Sequence, residues 1–240
     1  MKILLCYLSG LIYLSPAFSQ DIKKDSLAHI QIKNVVALYD RFTDDNAPVY
    51  NGTAYLYYTF QMHGDPFFES DNSSNGWLSY QGKIYDPLSI WYDIARNQIA
   101  LLLPDSATRI VPHNEFVDSF NVAKHTFIRL TEDHRQNLYN TGFYDLLYNG
   151  HVKLLARRVK TRSEVIENDA VIRIFSPADH FYIYKEGRYF LVNAQKDVFR
   201  LFTDKTHEIR KMMRQQHIKL RRKNFENALL KVTAFYDQLH

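Results

Sequence analysis

Between Gly52 and Val192 the chain reads as short apolar and aromatic runs, each ended by a turn signal. That alternation leaves room for little except an antiparallel sheet. Gln81-Gly82 separates a run at 77–80 from one at 83–90, and Arg96-Asn97 separates 88–94 from 98–103. Lys185-Glu186-Gly187 divides 181–184 from 189–192. Tyr148-Asn149-Gly150-His151 joins 143–148 to 151–160, and Asn-Gly there predicts a two-residue type I′ turn, because both positions tolerate positive φ. Strands joined by tight hairpins in chain order form a meander. So many strands must curl, close into a barrel or split into layers, and the expectation is a curled sheet or partly open barrel. The 17 Tyr and 16 Phe support it, since aromatic side chains suit the pleated surface. Tyr-polar-Gly recurs at Tyr50, Tyr80 and Tyr148; these share no short period, which excludes a propeller or solenoid.

Helical periodicity flanks the strand region. At the N-terminal side Asp25 or Ser26 caps a helix over about 27–43 that places Ala28, Ile32, Val35, Tyr39 and Phe42 on one face. The His29–Ile32 alternation competes as a strand, and Asp44-Asp45-Asn46-Ala47-Pro48 ends the segment. Helices fill about 194–240: one from Asn193 with Val198, Leu201 and Phe202, and one from Thr203 or Asp204 with Ile209, Met212 and Met213. A third starts at Asn224 and carries Phe225, Ala228, Leu229, Val232 and Tyr236. No Gly/Ser-rich linker separates them from the strands, so the class is α+β, with the helices packed on the sheet.

Residues 1–19 read as a signal peptide: Lys2, a short apolar stretch from Ile3 to Leu14, Pro16, then Ala17-Phe18-Ser19 as a small-x-small cleavage pattern. The stretch is short of the roughly 20 apolar residues that span a bilayer. Residues 20–240 then form a single domain, and no transmembrane segment is expected in it. The one cysteine, Cys6, lies in the signal, which leaves a cysteine-free mature chain suited to an oxidising compartment. The expected location is the periplasm or cell surface.

Charge is unevenly spread. Residues 21–148 hold 10 Lys+Arg against 16 Asp+Glu, whereas 149–240 hold 19 against 10. Arg210, Arg214, His217 and Arg221 follow four-three-four spacing, so one helix would align them as a basic stripe. It suits an acidic envelope protein, an acidic polysaccharide or lipid headgroups; a solvated helix face explains it too. No nucleic-acid module accompanies it, and nucleic acid is not expected as a partner.

Signals for catalysis are sparse. The chain has no Gly-x-Ser-x-Gly and no His-Glu-x-x-His. His63-Gly64-Asp65 is the tightest His/Asp pair and reads as a turn, and Asp44-Asp45-Asn46 lacks the ligand spacing of a calcium loop. Neither metal nor cofactor is expected. Asp86, Asp93 and Asp145 fall within or at the ends of predicted strands, where hydrolytic carboxylates could lie; outward positions on half-exposed strands explain them equally. Tyr85, Trp91 and Tyr92, on neighbouring runs, could line an aromatic binding face or fill the core.

The Tyr50-Asn51-Gly52 segment, 63–68, 80–92, 142–158, 181–189 and the closing Phe235-Tyr236-Asp237 resemble a family of uncharacterised exported proteins of Gram-negative bacteria. The resemblance covers most of the chain through hairpin and core signatures. It implies one compact envelope domain and carries over no activity. The resulting reading is a non-catalytic binding or interaction protein of the bacterial envelope. The alternative is a carrier of an apolar ligand, or a hydrolase, using the concave face of the sheet.

Overall fold

The computed structural model describes residues 47–59, 62–70, 72–104, 107–167 and 170–239. The expected signal peptide and the helix over 27–43 lie outside the described residues. Strands β1 (Gly52–Ala54), β2 (Ser74–Tyr80), β3 (Lys83–Asp93), β4 (Gln98–Leu102) and β5 (Arg109–Pro112) come first. Then follow β6 (Val117–Val122), β7 (His125–Leu130), β8 (Gly142–Asn149) and β9 (Lys153–Arg157). After β10 (Lys160–Glu167) and β11 (Ala170–Pro177) come β12 (His180–Lys185) and β13 (Arg188–Val192). All but β10 and β11 join one antiparallel sheet in the order β1-β5-β4-β3-β2-β6-β7-β8-β9-β12-β13. Three helices complete the chain: α1 (Gln195–Leu201), α2 (Thr206–Gln215) and α3 (Phe225–Asp237).

The α+β class and the meander follow the sequence pattern, but the curled sheet or partly open barrel does not form. The sheet is open, with β1 and β13 as its ends. Two features remove the need for closure. β10 and β11 pair with each other as a ribbon outside the sheet, with a bridge from His63 to Ile174, and the helices bury part of the apolar face that a barrel would have enclosed.

Turn chemistry sets the register. Gln81-Gly82 (φ 52° and 76°) and Glu186-Gly187 (φ 50° and 79°) make two-residue turns with positive φ at both positions. Ala123-Lys124 does the same without a glycine (φ 49° and 67°). The Asn149-Gly150 expectation fails, since neither residue has positive φ and Asn149 pairs with Lys153 across a three-residue loop. Gly150 is required there by crowding: a Cβ would lie 2.1 Å from Asp237 Oδ2. That carboxylate, at the end of α3, accepts hydrogen bonds from Tyr148 Oη (2.9 Å) and Val152 N (2.9 Å).

One face of the sheet carries two hydrophobic clusters. Across β2–β8, Tyr85, Ile90, Tyr92, Phe120, Phe127 and Phe143 pack together with Val49 and Phe68. Across β9, β12 and β13, Leu154, Ile183 and Val192 meet Val198, Ile209, Met212, Leu229 and Val232 of the helices. The Phe202 and Tyr236 rings stack at 3.9 Å. The other face is buried more thinly, around Trp91 and around Tyr144. Leu229 is fully buried in the helix-side cluster, so Leu229→Ala should cost about 2–5 kcal/mol in denaturant unfolding. A loss below about 1 kcal/mol would mean that α3 contributes little to that core.

Candidate functional site

α1 starts where Asp197 Oδ2 accepts the backbone N–H groups of Asn193 (3.1 Å) and Ala194 (3.0 Å). α2 turns Ile209, Met212 and Met213 inward, which leaves Arg210 and Arg214 exposed. The chain leaves α2 through His217, whose φ is 54°, and Ile218 N–H bonds back to Met213 O at 2.8 Å. This turn sets the 217–219 segment beside the helix. Between α1, α2 and that segment runs a groove of about 710 Å³. Its cations are Lys196, Arg210, Arg214 and Lys219, with His217 beside them; its apolar floor is Phe199, Met213 and Ile218, and among the described residues no acidic side chain lines it. The Arg210 guanidinium lies 4.7 Å from the Phe199 ring centre.

Three of the four residues of the predicted stripe therefore come together, and Arg221 does not. The stripe is not one helix, because α2 ends at Gln215 and Arg221 instead precedes a separate turn at Arg222–Asn224. Sequence reasoning missed Lys196, Phe199 and Lys219. Lys196 and Phe199 stand three apart on α1, but nothing local says that α1 lies beside α2.

The predicted aromatic face is not assembled. Tyr85 and Tyr92 are buried in the sheet core, and Tyr92 packs edge-on against Phe120, Phe127 and Phe143. Trp91 points to the opposite face, with the Arg109 guanidinium 3.9 Å from its ring centre. Successive strand residues alternate faces, so these three side chains cannot line one cavity. Asp93 and Asp145 are not outward either; they are 0% and 1% exposed. Asp93 is held by Tyr55 and Tyr58 hydroxyls and by the Ala95 and Arg96 N–H groups. His63 forms a bridge to Ile174 of the ribbon, and Asp65 pairs with Lys160 at 3.2 Å.

Asp145 belongs to a cluster that sequence reasoning did not find. Its Oδ2 accepts from Arg158 Nε (2.9 Å), Arg158 Nη2 (2.6 Å) and His125 Nδ1 (2.8 Å). Arg158 also donates to Asp179 (2.9 Å) and to both oxygens of Glu226 (2.7 and 3.0 Å). Burial alone would lower the Arg158 pKa, but the hydrogen bonds to Glu226, the charge of Asp145 and the hydrogen bonds to Asp179 and Asp145 outweigh it and hold the group charged. Among the described residues no Ser, Thr or Cys side chain bonds to His125, whose hydrogen bond goes to Asp145. Nor are three His, Cys, Asp or Glu side chains grouped to hold a metal ion among the described residues. The cluster is a charge anchor, and the open groove is the candidate site.

Compared with protein-family models, curated proteins and solved structures, the chain matches none.

The hydrogen bond to Asp145 raises the His125 pKa against a smaller opposing effect of burial. A raised folded-state pKa stabilises the fold below the unfolded value of about 6.5, and that contribution is lost as pH rises through the folded value. The stability advantage of the wild type over His125→Gln should therefore be greatest below the unfolded value of about 6.5 and shrink as pH rises above it in denaturant titrations. A difference constant with pH would show that His125 does not carry the proton.

Proposed function

We propose that this is a non-catalytic binding protein of the bacterial envelope, which holds an acidic, apolar-containing segment of a partner protein in the groove between α1 and α2. The observation that carries the reading is the lining: four Lys and Arg side chains with His217, no acid among the described residues, and an apolar floor in one concavity. No carboxylate among the described residues pairs with Lys196, Arg210, Arg214 or Lys219, so their charge stays directed at a ligand. A groove with an apolar floor favours a chain with both acidic and apolar side chains over a flat anionic surface, which would touch only the rim. The envelope location rests on the pattern at 1–19. Among the described residues no helix is long and apolar enough to cross a membrane. The carrier alternative loses its support, since Tyr85 and Tyr92 fill the sheet core.

The test is calorimetric titration of the full chain with a soluble peptide of Glu and Leu residues, and separately with vesicles of an anionic phospholipid. The wild type should bind the peptide, more weakly as salt screens the charges. Arg210→Glu with Arg214→Glu should weaken binding at least tenfold, about 1.4 kcal/mol. Equal binding by wild type and variant, or binding of vesicles alone, would contradict the reading.

A further inference from the structure

The end strand β13 carries a second binding feature. The β12–β13 hairpin closes on Lys185 and Arg188 through the Glu186-Gly187 turn. In a two-residue hairpin the residues flanking the turn exchange both backbone hydrogen bonds, and bonded and non-bonded pairs then alternate. Ile183 bonds Phe190 and Phe181 bonds Val192, whereas Tyr184–Tyr189 and Tyr182–Leu191 are non-bonded pairs. The N–H and C=O groups of Tyr189 and Leu191 therefore point away from β12, along the open end of the sheet. Among the described residues none of these four groups takes a partner.

A groove of about 630 Å³ follows residues 189–192 along this edge. One wall is the 137–140 loop with Tyr139, and the other is α1 with Arg200 and Leu201. Tyr139 is 59% exposed and Leu191 45%; large apolar side chains on a sheet edge invite pairing unless something blocks it. We infer that β13 takes an extended peptide segment as a twelfth strand, with apolar side chains at alternate positions against Tyr139, Tyr189 and Leu191. Outward N–H and C=O groups spaced along an edge match another backbone, and strand addition is an established way to use them. The competing occupant is the same edge of a second copy of this chain, and the oligomeric state measured below separates the two. This groove and the cationic one lie on opposite flanks of α1 and do not share a lining residue, so the inference stands independently of the acidic-segment reading.

The experiment selects phage-displayed random peptides on the full wild-type chain and then titrates the best one. Leu191→Pro removes an outward N–H without touching the β12 ladder, because proline is tolerated on an edge. Binding should fall at least tenfold for Leu191→Pro. It should fall likewise for wild-type protein with a peptide N-methylated at alternate amides, a measurement that does not depend on the variant folding. It should not change in Arg210→Glu/Arg214→Glu. Failure to enrich any peptide, indifference to both Leu191→Pro and N-methylation, or loss in the charge-reversed variant would each overturn the inference. A wild-type dimer that Leu191→Pro converts to monomer would overturn it too, since the edge would then close on a second copy.

Discussion

The guanidinium of Arg158 is the group on which the sheet, the ribbon and the helices converge. Its side chain is 6% exposed and meets carboxylates from β8 (Asp145), from the residue before β12 (Asp179) and from the first turn of α3 (Glu226). Burying such a charge is costly, and only complete hydrogen bonding offsets it; here five bonds do so. The position is dictated by topology. Arg158 follows β9 on the face shared by Ala156 and Asp145, at the seam between the two hydrophobic clusters, with the Phe68 ring on its other side. One cation among three carboxylates leaves negative charge in excess, and His125, whose ring hydrogen-bonds to Asp145, is placed to reduce it.

The helices inherit their placement from this anchor. α3 is tied at its start by Glu226 and at its end by Asp237, which caps the β8–β9 turn. α2 and the α1 end then pack on α3 through Met212, Phe202 and Tyr236. α1 is left between two concavities with different chemistry: cationic with an apolar floor on one flank, and a sheet edge with aromatic walls on the other.

Hairpins and helices were readable because they are local. Gln81-Gly82 and Glu186-Gly187 announce their turns, and the spacing of Ile209, Met212 and Met213 announces α2. Ala123-Lys124 makes the same turn without a signature residue, and Asn149-Gly150 carries the signature but serves another purpose, the approach of Asp237. The four-three-four spacing from Arg210 to Arg221 continues past Gln215, where the helix stops, so periodicity alone overstates the stripe. The Arg158 cluster joins residues up to 101 positions apart, from His125 to Glu226, and no spacing rule connects them. The same holds for the grooves, whose walls come from separate elements.

The central claim is that Arg158 couples the sheet to the helices as one cooperative unit. Hydrogen exchange of Arg158→Met against wild type tests it most directly. Leaving three carboxylates without their partner should cost roughly 3–5 kcal/mol. Amides of α3, of β8 near Asp145 and of β12 next to Asp179 should lose protection together, with the cationic groove's α2 following. Protection lost only within a residue or two of position 158, with α3 unchanged, would contradict the account.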